Sequence, residues 1–350
     1  MEIFIFAVYF FFSVSTSESK YGKANYRPIL FLVTLFFTIW AGFRTDFWPD
    51  TTGYVWHFIQ KTPDIFHFSF REENILYVEK GYYFLTSLIR TFTDSRVAYL
   101  MIIAALGLTL IYKGLNKYCV FPLIGMAVYI ARFVFGRHFI QIRSGLSIAL
   151  LFWGMQFVTN RDWRKWFLTL FFAYLLHTSA LVALPVYFLN RLKLNKSRIV
   201  WGVVIAFIIA IFFRGPMTSL IQDASTDTNL GTAYTTGDRN YYKSAEGKGL
   251  ANPMLYYQTV ILLAFTFGEK LLKDKTKHYY TLRDGYFYST VSLIALNMFQ
   301  ILSGRVSTIY ATYEILIVPL LIMLFPQKLR SIGFLGVTAI YCAIFYMNYY

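Results

Sequence analysis

Cysteine is nearly absent from this chain of 350 residues, which has only Cys119 and Cys342, both inside apolar runs. Neither a disulfide framework nor a thiolate metal site is therefore indicated. Acidic residues are also scarce, with 18 Asp and Glu against 33 Lys and Arg. No two of them form a D-x-D pair, so we expect no metal site of the kind found in nucleotide-sugar transferases and no cofactor. A G-x-x-x-x-G-K-[ST] loop is absent too, which argues against ATP-driven transport.

Apolar residues dominate what is present: 57% of the sequence is hydrophobic and 15% is charged, which is typical of an integral membrane protein. No segment between the apolar runs is long enough to be a separate soluble domain. The sequence therefore predicts an all-α fold with one polytopic transmembrane domain over residues 1–350. Apolar helices are expected at 1–15, 28–42, 97–112, 119–135, 144–159, 165–190, 199–213, 254–268, 285–302, 306–325 and 331–349.

The formal charge of +15 is carried largely by short loops between the apolar runs. In so apolar a chain this charge favours cytoplasmic loops, anionic membrane lipid and a phosphate-bearing substrate, and we expect no nucleic-acid partner. The positive-inside rule assigns the basic loops to the cytoplasm. They lie at 20–27, 113–117, 161–165, 191–198, 270–283 and 328–330.

Two segments decide the number of membrane crossings. The stretch 79–93 is short and charged at both ends, so we expect an interfacial or re-entrant helix that does not cross. Residues 165–190 have basic loops at both ends, so they should cross twice and turn at His177 inside a cavity open to the outer face. Together these give about twelve crossings with both termini outside. The alternative, a straight helix over 165–190 and a crossing by 79–93, leaves the basic loop 161–165 outside.

This topology brings the polar residues that the positive-inside rule leaves unexplained to one non-cytoplasmic face. The face includes two outer loops, 43–96 and 214–252, and the second is rich in glycine, threonine and tyrosine and suited to a mobile lid. Any single arginine there also fits contact with lipid headgroups. The polar residues are Arg44, Asp46, Asp50, Glu79, Arg137, His138, Arg143, His177 and Arg305.

Arginines are concentrated at one junction between two predicted helices, where Arg132, Arg137 and Arg143 occur with His138 and Gln141. Arginine presents a planar fork of donors and stays ionised, so this cluster suits a diphosphate. We therefore expect these arginines to neutralise phosphate charge, as a divalent metal ion does in nucleotide-sugar transferases.

Glycosyl transfer from a lipid diphosphate needs cations for the leaving group and a base for the proton of the sugar hydroxyl. Asp46 and Asp50 are candidates for the base; they lie i,i+4 apart in the first outer loop, where either can instead cap a helix. His177 closes an apolar arm and is the third candidate, as a base, a phosphate ligand or a satisfied buried histidine.

Two more polar residues come from late in the chain. Arg305 adds a guanidinium group to the phosphate-binding set. Glu314 lies inside an apolar run below it and needs a cationic partner. We expect Glu314 to have a supporting role, together with Glu79 and Arg132.

These features together resemble the EpsG-like branch of the Wzy polysaccharide (O-antigen) polymerases. The resemblance implies a fold similar to GT-C glycosyltransferases and an enzyme of the bacterial inner membrane. Such enzymes join undecaprenyl-diphosphate-linked oligosaccharide repeats at the periplasmic face into O-antigen, capsular or exopolysaccharide, inverting the linkage without a metal ion. A chain-length regulator is a further partner to expect. The matching segments are GFRTDFWPDTTGY (42–54), EKGYYFL (79–85), RHFIQIRSGLSIALLF (137–152), HTSAL (177–181) and GRVSTIYATYEILIVP (304–319).

By position, the resemblance assigns substrate-binding or catalytic roles to a defined set of residues. The first loop here has one acidic residue more than the family pattern, which leaves open whether Asp46 or Asp50 is the base. The matched residues are Arg44, Asp50, Tyr54, Arg137, Gln141, Arg143, His177 and Arg305.

Three other functions fit parts of the sequence. An O-antigen ligase uses the same donor and differs only in its acceptor. A membrane O-acyltransferase also pairs an intramembrane histidine with polar partners, but gives no reason for arginines from separate segments to meet. A flippase or other transporter would have broken helices near the membrane midplane and internal repeats, and we find no repeat.

Overall fold

The part of the chain that the computed structural model describes is helical, with no β-strand among its residues. The predicted all-α fold is confirmed for this part. The predicted helix at 1–15 and most of the outer loop 214–252 lie outside the described residues. These are 22–70, 78–192, 194–212, 249–297 and 299–349.

Short helices occur between longer ones along the chain, and two π-helical segments lie at residues 130–140. In chain order the elements are α1 Gly22–Gly42, α2 Thr51–Lys61, α3 Lys80–Arg90, α4 Arg96–Tyr118, α5 Pro122–Tyr129, π1 Ile130–Val134, π2 Gly136–Ile140, α6 Ile142–Thr159, α7 Trp163–Leu176, a 3₁₀ helix Thr178–Ala183, α8 Leu184–Leu189, a 3₁₀ helix Asn190–Leu192, α9 Lys196–Phe212, a 3₁₀ helix Gly249–Ala251, α10 Pro253–Phe267, α11 Glu269–Leu272, a 3₁₀ helix Lys273–Lys275, α12 Tyr279–Ala295, α13 Gln300–Ala311, α14 Glu314–Ile322, a 3₁₀ helix Gln327–Leu329 and α15 Arg330–Tyr349.

The chain divides into two compact units, the first formed by Met1–Leu184 with Val318–Tyr350 and the second by Pro185–Ile317. In the first unit α4 packs between α1 and α6, and α6 also packs against α7. In the second unit α12 is central and packs against α9, α10 and α13. The single polytopic domain expected from the sequence stays a prediction.

Among the described residues, Arg96–Tyr118, Ile142–Thr159 and Gln327–Met347 are long and apolar enough to cross a membrane. A fourth crossing results if Leu302–Ala311 and Glu314–Ile322, which meet at a bend of 49°, form one broken span. Other apolar helices are shorter, because breaks interrupt several of the predicted runs. These helices fit a membrane protein, as expected from the composition.

Helix α3 has 11 residues, which corresponds to about 16 Å of helix and is too short for a bilayer of about 30 Å. This length fits the expected helix that does not cross. Its buried face, which includes Tyr82 and Tyr83, joins a core cluster that also contains Phe58 and Tyr99. The rings of Phe58 and Tyr99 stack with their centroids 4.2 Å apart.

The predicted turn at His177 coincides with a break in the helix. Helix α7 ends at Leu176, and His177 has extended backbone with φ −160° and ψ 126° before the 3₁₀ helix begins. The straight helix over 165–190 is therefore wrong. The return crossing after this break stays a prediction.

Candidate active site

The loop that carries Arg44 is held by aromatic contacts to the π-helical segment. Trp48 stacks on Phe135 with centroids 5.4 Å apart and also contacts Phe139 at 4.9 Å. Helix α2 begins directly afterwards at Thr51, preceded by Asp50 at φ 63°. The aromatic residues of the first-loop motif therefore fix the loop, and its charged residues are presented from a defined backbone.

Arg44 is a buried cation, with only 3% of its surface exposed. Its Nε donates to Thr51 Oγ1 at 3.1 Å and its Nη1 donates to the backbone oxygen of His138 at 2.8 Å. Its Nη2 is buried and has no hydrogen-bond partner among the described residues. Burial lowers the pKa of Arg44 below its ordinary value. A guanidinium nitrogen without a partner in such a place is costly, and an anionic oxygen would satisfy it.

Two arginines of the central cluster, Arg132 and Arg137, lie on π-helical segments, which widen the helix and occur often at functional sites, whereas Arg143 lies at the start of α6. Arg137 is buried and lies over the ring of Phe133, with its guanidinium carbon 4.2 Å from the ring centroid. His138 Nε2 is 2.7 Å from the hydroxyl oxygen of Tyr129. Burial, with Arg137 and Arg44 nearby, lowers the pKa of His138 to about 3, so its ring is neutral at physiological pH.

Glu79, Arg143 and His177 come from three separate segments and meet in the first unit. Arg143 Nη1 lies 2.7 Å from Glu79 Oε2. Glu79 Oε1 accepts the backbone N–H of Thr178 at 3.2 Å and lies 3.2 Å from His177 Nδ1. The Glu79 carboxylate is largely buried, with 12% of its side chain exposed. A carboxylate, a guanidinium and an imidazole therefore share one site, which we name the Glu79 cluster.

The Nδ1 atom of His177 has two neighbours that suit different protonation states. It accepts the backbone N–H of Ser179 at 3.2 Å, which requires a lone pair on Nδ1. Its approach to Glu79 is favourable when Nδ1 carries a proton. The ring thus has a partner whether or not Nδ1 is protonated, which suits a histidine that exchanges a proton.

Gly81 allows the close helix contact on which the Glu79 cluster depends. A Cβ atom at this position would lie 2.5 Å from Leu175 Cβ and 2.7 Å from the backbone oxygen of Leu175. Only glycine lets the start of α3 approach the end of α7 so closely. This approach brings Glu79 next to the break at His177.

Tyrosines connect the Glu79 cluster with Arg44. The guanidinium carbon of Arg143 lies 5.6 Å from the ring centroid of the buried Tyr54. The hydroxyl groups of Tyr82 and Tyr99 are 2.7 Å apart. Tyr54, Tyr82 and Tyr99 lie near Arg44, and Tyr54 and Tyr82 also lie near Arg143. The first unit therefore contains one region of buried cations and phenols.

The other residues predicted in the first unit lie nearer its surface. Asp46 forms an ion pair with Arg96 at 2.6 Å and is 55% exposed at the side chain. Asp50 occupies the position before α2 and is exposed, but its side chain makes no capping hydrogen bond. Gln141 is exposed, and Arg132 is half-buried with its guanidinium carbon 5.3 Å from the ring centroid of Phe133. Asp46 and Asp50, which lie i,i+4 apart, are not on one helical turn. The segment between them forms loop turns before α2 begins.

Arg305 and Glu314 lie in the second unit, on α13 and at the start of α14. Glu314 is fully buried and accepts hydrogen bonds from the hydroxyls of Tyr257 at 2.8 Å and Tyr286 at 3.0 Å. These phenols are neutral, and the cationic partner expected for Glu314 stays a prediction. Within the described ranges, no group of His, Cys, Asp and Glu could hold a metal ion.

Three residues of the site were not predicted from the sequence. Thr51 lies inside the GFRTDFWPDTTGY segment but was not itself a candidate, and Tyr99 is an ordinary residue of α4 that no local pattern distinguishes. Tyr82 lies inside the EKGYYFL segment, which was singled out for Glu79 and for its length. Their positions follow from packing between segments far apart in the chain.

The apolar helices fit a membrane protein, and its first unit contains a buried cluster of charged residues. The chain belongs to the EpsG family, whose model matches residues 28–350. No curated protein and no solved structure matches the chain. Membership in this family indicates a polysaccharide polymerase-type role in polysaccharide biosynthesis, with lipid-linked polysaccharide substrates.

Proposed function

We propose that this protein is a Wzy-type polymerase that joins undecaprenyl-diphosphate-linked oligosaccharide repeats at the outer, periplasmic face of the bacterial inner membrane. The observation that carries the proposal is the Glu79 cluster, with its guanidinium from Arg143 and its imidazole from His177. The products are O-antigen, capsular or exopolysaccharide. A chain-length regulator is a proposed further partner.

In the reaction, a hydroxyl oxygen of the acceptor repeat attacks the anomeric carbon of the donor sugar. A glycosidic C–O bond forms while the C–O bond to the diphosphate breaks, and the diphosphate departs with the electron pair. The hydroxyl proton passes to a base of the protein. Attack from the face opposite the leaving group inverts the linkage.

We assign the departing diphosphate to Arg44, Arg137 and Arg143 of the first unit, together with Tyr54, His138 and Gln141 of the same unit. Arg305 of the second unit stays a substrate-binding residue proposed from the sequence. Arg44 supports this assignment most directly, because its buried Nη2 lacks a partner among the described residues. A phosphate oxygen bound there would satisfy the nitrogen and would gain from the low dielectric around it. Guanidinium groups held in place before the reaction also require little rearrangement as charge develops on the leaving group.

For the base, the contacts favour His177 over Asp46 and Asp50. Asp46 is paired with Arg96, and Asp50 is exposed on the loop. When Nδ1 of His177 donates to Glu79, Nε2 keeps the lone pair that can take the hydroxyl proton. Glu79 then stabilises the imidazolium that forms, as the carboxylate of a catalytic triad does. Asp50 remains the second candidate.

We further propose about twelve membrane crossings, both termini outside, and a GT-C-like arrangement. The support is the distribution of basic loops in the sequence, the short helix α3 and the break at His177.

The Arg143→Lys variant tests this function with purified protein and lipid-linked repeats. Lysine keeps the charge but loses the planar fork, so extension should slow by at least about tenfold. Arg164→Lys is the matched control, because Arg164 is exposed on a predicted cytoplasmic loop and should extend repeats normally. Normal extension by Arg143→Lys would mean that this arginine does not hold the diphosphate.

Deletion of the gene distinguishes the polymerase from the alternatives. Loss of a polymerase leaves single repeats attached to the cell surface, whereas loss of a ligase leaves unattached polymer. Loss of a flippase leaves neither product. Loss of an O-acyltransferase leaves polymer of normal length without acyl groups.

A further inference from the structure

A basic cavity lies at the end of the first unit where α1 begins and α4 ends. It has a volume of about 420 Å³. Its cations lie in the first turns of α1 and the last turns of α4, at helix ends that the positive-inside rule assigns to the cytoplasm. The lining residues are Arg27, Tyr112, Lys113, Asn116, Lys117 and Trp153.

The charges that line the cavity favour an anionic ligand. Three of its lining side chains are cationic, none is acidic, and all three cations are exposed. Lys117 Nζ donates to Gln156 Oε1 at 2.6 Å, a neutral partner that leaves its charge uncompensated. None of these three cations forms a salt bridge with a described residue. A phosphate group would therefore gain charge-assisted hydrogen bonds from more than one side.

One acceptor in the cavity adds a more specific requirement. The side-chain oxygen Oδ1 of Asn116 is buried and has no hydrogen-bond partner among the described residues. The phosphodiester of a lipid headgroup has no proton to donate to it, whereas a hydroxyl group can donate. The ligand that satisfies the whole cavity therefore combines an anionic phosphate with a free hydroxyl.

An apolar face of α1 continues from the cavity and identifies the ligand as a lipid. Arg27, Phe31 and Leu35 follow each other at i,i+4 spacing and share one face of the helix. Phe31 is 53% exposed, Leu35 is 40% exposed, and the Phe31 ring contacts that of Tyr112 with centroids 6.4 Å apart. An acyl chain can lie along these side chains while its phosphate reaches Arg27. A free phosphate ion would make no use of this face.

We propose that this cavity binds the headgroup of an anionic glycerophospholipid with a free headgroup hydroxyl, of the phosphatidylglycerol type, in the cytoplasmic leaflet. Basic pockets between helices on this side of a membrane are suited to anionic headgroups. The site is separate from the candidate active site. Arg96 and Lys113 lie on the same helix α4, about 25 Å apart along its axis.

Native mass spectrometry of the purified full-length protein, delipidated and titrated with phosphatidylglycerol, tests the proposal. The double variant Arg27→Gln/Lys113→Gln should retain at least tenfold less of this lipid than the unmodified protein. The matched control Arg164→Gln/Lys275→Gln removes the same charge from exposed basic positions outside the cavity and should retain the lipid. Equal retention by the cavity variant, or equal loss in the control, would overturn the site.

Two comparisons separate a specific headgroup from general attraction of charge. Phosphatidylcholine, which has no net charge, should not be retained. Inorganic phosphate at the same concentration should not displace phosphatidylglycerol. Displacement would show that the cavity binds phosphate and not a lipid. Asn116→Leu should remove the preference for phosphatidylglycerol over phosphatidylmethanol, a phosphodiester without a headgroup hydroxyl, and an unchanged preference would contradict the role of Asn116. The Lys113→Arg variant keeps the charge and should bind phosphatidylglycerol normally. Normal binding would show that a change at this position does not by itself unfold the protein.

Discussion

Glu79 is the residue on which the candidate active site depends most, because it contacts a cation, a histidine and a backbone N–H at once. Removing the carboxylate leaves the guanidinium of Arg143 without its ion-pair partner in a largely buried place, which is costly. It also removes the group that we propose orients His177. Substitution of Glu79 by glutamine or by aspartate separates the effect of its charge from the effect of its position.

Glu79→Gln and His177→Ala should each lower turnover by about two to four orders of magnitude, the usual contribution of acid–base catalysis. Donor binding should change less, so the loss should appear in kcat more than in KM. Extension of lipid-linked repeats by purified variants measures both quantities. Glu79→Asp keeps the charge and should recover part of the rate.

The aspartates of the first loop provide the comparison for this assignment. Asp46→Asn should remain close to normal, because Asp46 is an exposed partner of Arg96. The base would be Asp50 and not His177 if His177→Ala turned over normally while Asp50→Asn lost about two to four orders of magnitude in turnover.

At the scale of single residues, the sequence indicated the types of group and not their pairing. Glu79, Arg143 and His177 were all candidates, since charged residues in apolar surroundings are rare and usually have a role. Their contact was not predictable, because the Arg143–Glu79 bond spans 64 residues and follows no helical period. Asp46 shows the reverse case: its motif suggested catalysis, whereas its side chain pairs with Arg96.

The packing of helices brings these residues together, and α3 approaches α7 closely at Gly81. Helix propensity alone would favour alanine there. A Cβ at position 81 would lie 2.7 Å from the backbone oxygen of Leu175. A backbone atom cannot rotate out of the way as a side chain can. The glycine in EKGYYFL is thus explained by packing.

Gly81→Ala should destabilise the protein by about 1–3 kcal/mol, the usual cost of an overpacked contact, and should lower activity because α3 must shift. Thermal unfolding in detergent and the extension assay measure the two effects. Gly336→Ala is the matched control, since no atom lies within 4 Å of a Cβ at that position on α15. If Gly81→Ala unfolds and turns over like Gly336→Ala, the close contact has no part in forming the site.

Element boundaries were predictable where a polar residue interrupts an apolar run, as at His177. They were less so where the helix changes type within a run. The apolar stretch 119–135 contains α5 and π1, and nothing in its periodicity indicates the π-helical turns.

For the whole molecule, the topology decides whether the proposed site faces the outside. The predicted crossings were counted from basic loops, a signal that concerns the direction of insertion and is independent of packing. Fewer helices of the described residues reach spanning length, because turns and breaks divide the apolar runs. Sidedness therefore needs a direct measurement.

A single cysteine at position 178 provides it, because Thr178 is exposed and directly follows the break at His177. In a background with Cys119 and Cys342 replaced by alanine, Thr178→Cys should react with an impermeant thiol reagent added from the outer side. Lys275→Cys is the control for the predicted cytoplasmic side and should react only after the membrane is opened. Labelling of Thr178→Cys only from the cytoplasm would contradict the proposed topology.

The balance of charge over the whole chain leads to a final prediction about metal ions. With 33 basic residues against 18 acidic ones and no D-x-D pair, the sequence is better suited to bind a diphosphate directly than through a divalent cation. In the first unit Arg44 and Arg137 are buried, so their interaction with a phosphate is weakly screened by solvent. Arginines in such positions can neutralise the charge that builds on the leaving group.

Purified protein should therefore extend lipid-linked repeats at an unchanged rate in excess EDTA. Added Mg²⁺ should not raise the rate, since no step in the proposed reaction uses a metal-bound oxygen. Arg44→Lys tests the same point from the protein side: it should extend repeats more slowly, and Mg²⁺ should not restore its rate. If EDTA abolished extension and Mg²⁺ restored it, a metal ion would carry the charge of the leaving group, and the arginines would have to serve substrate binding alone.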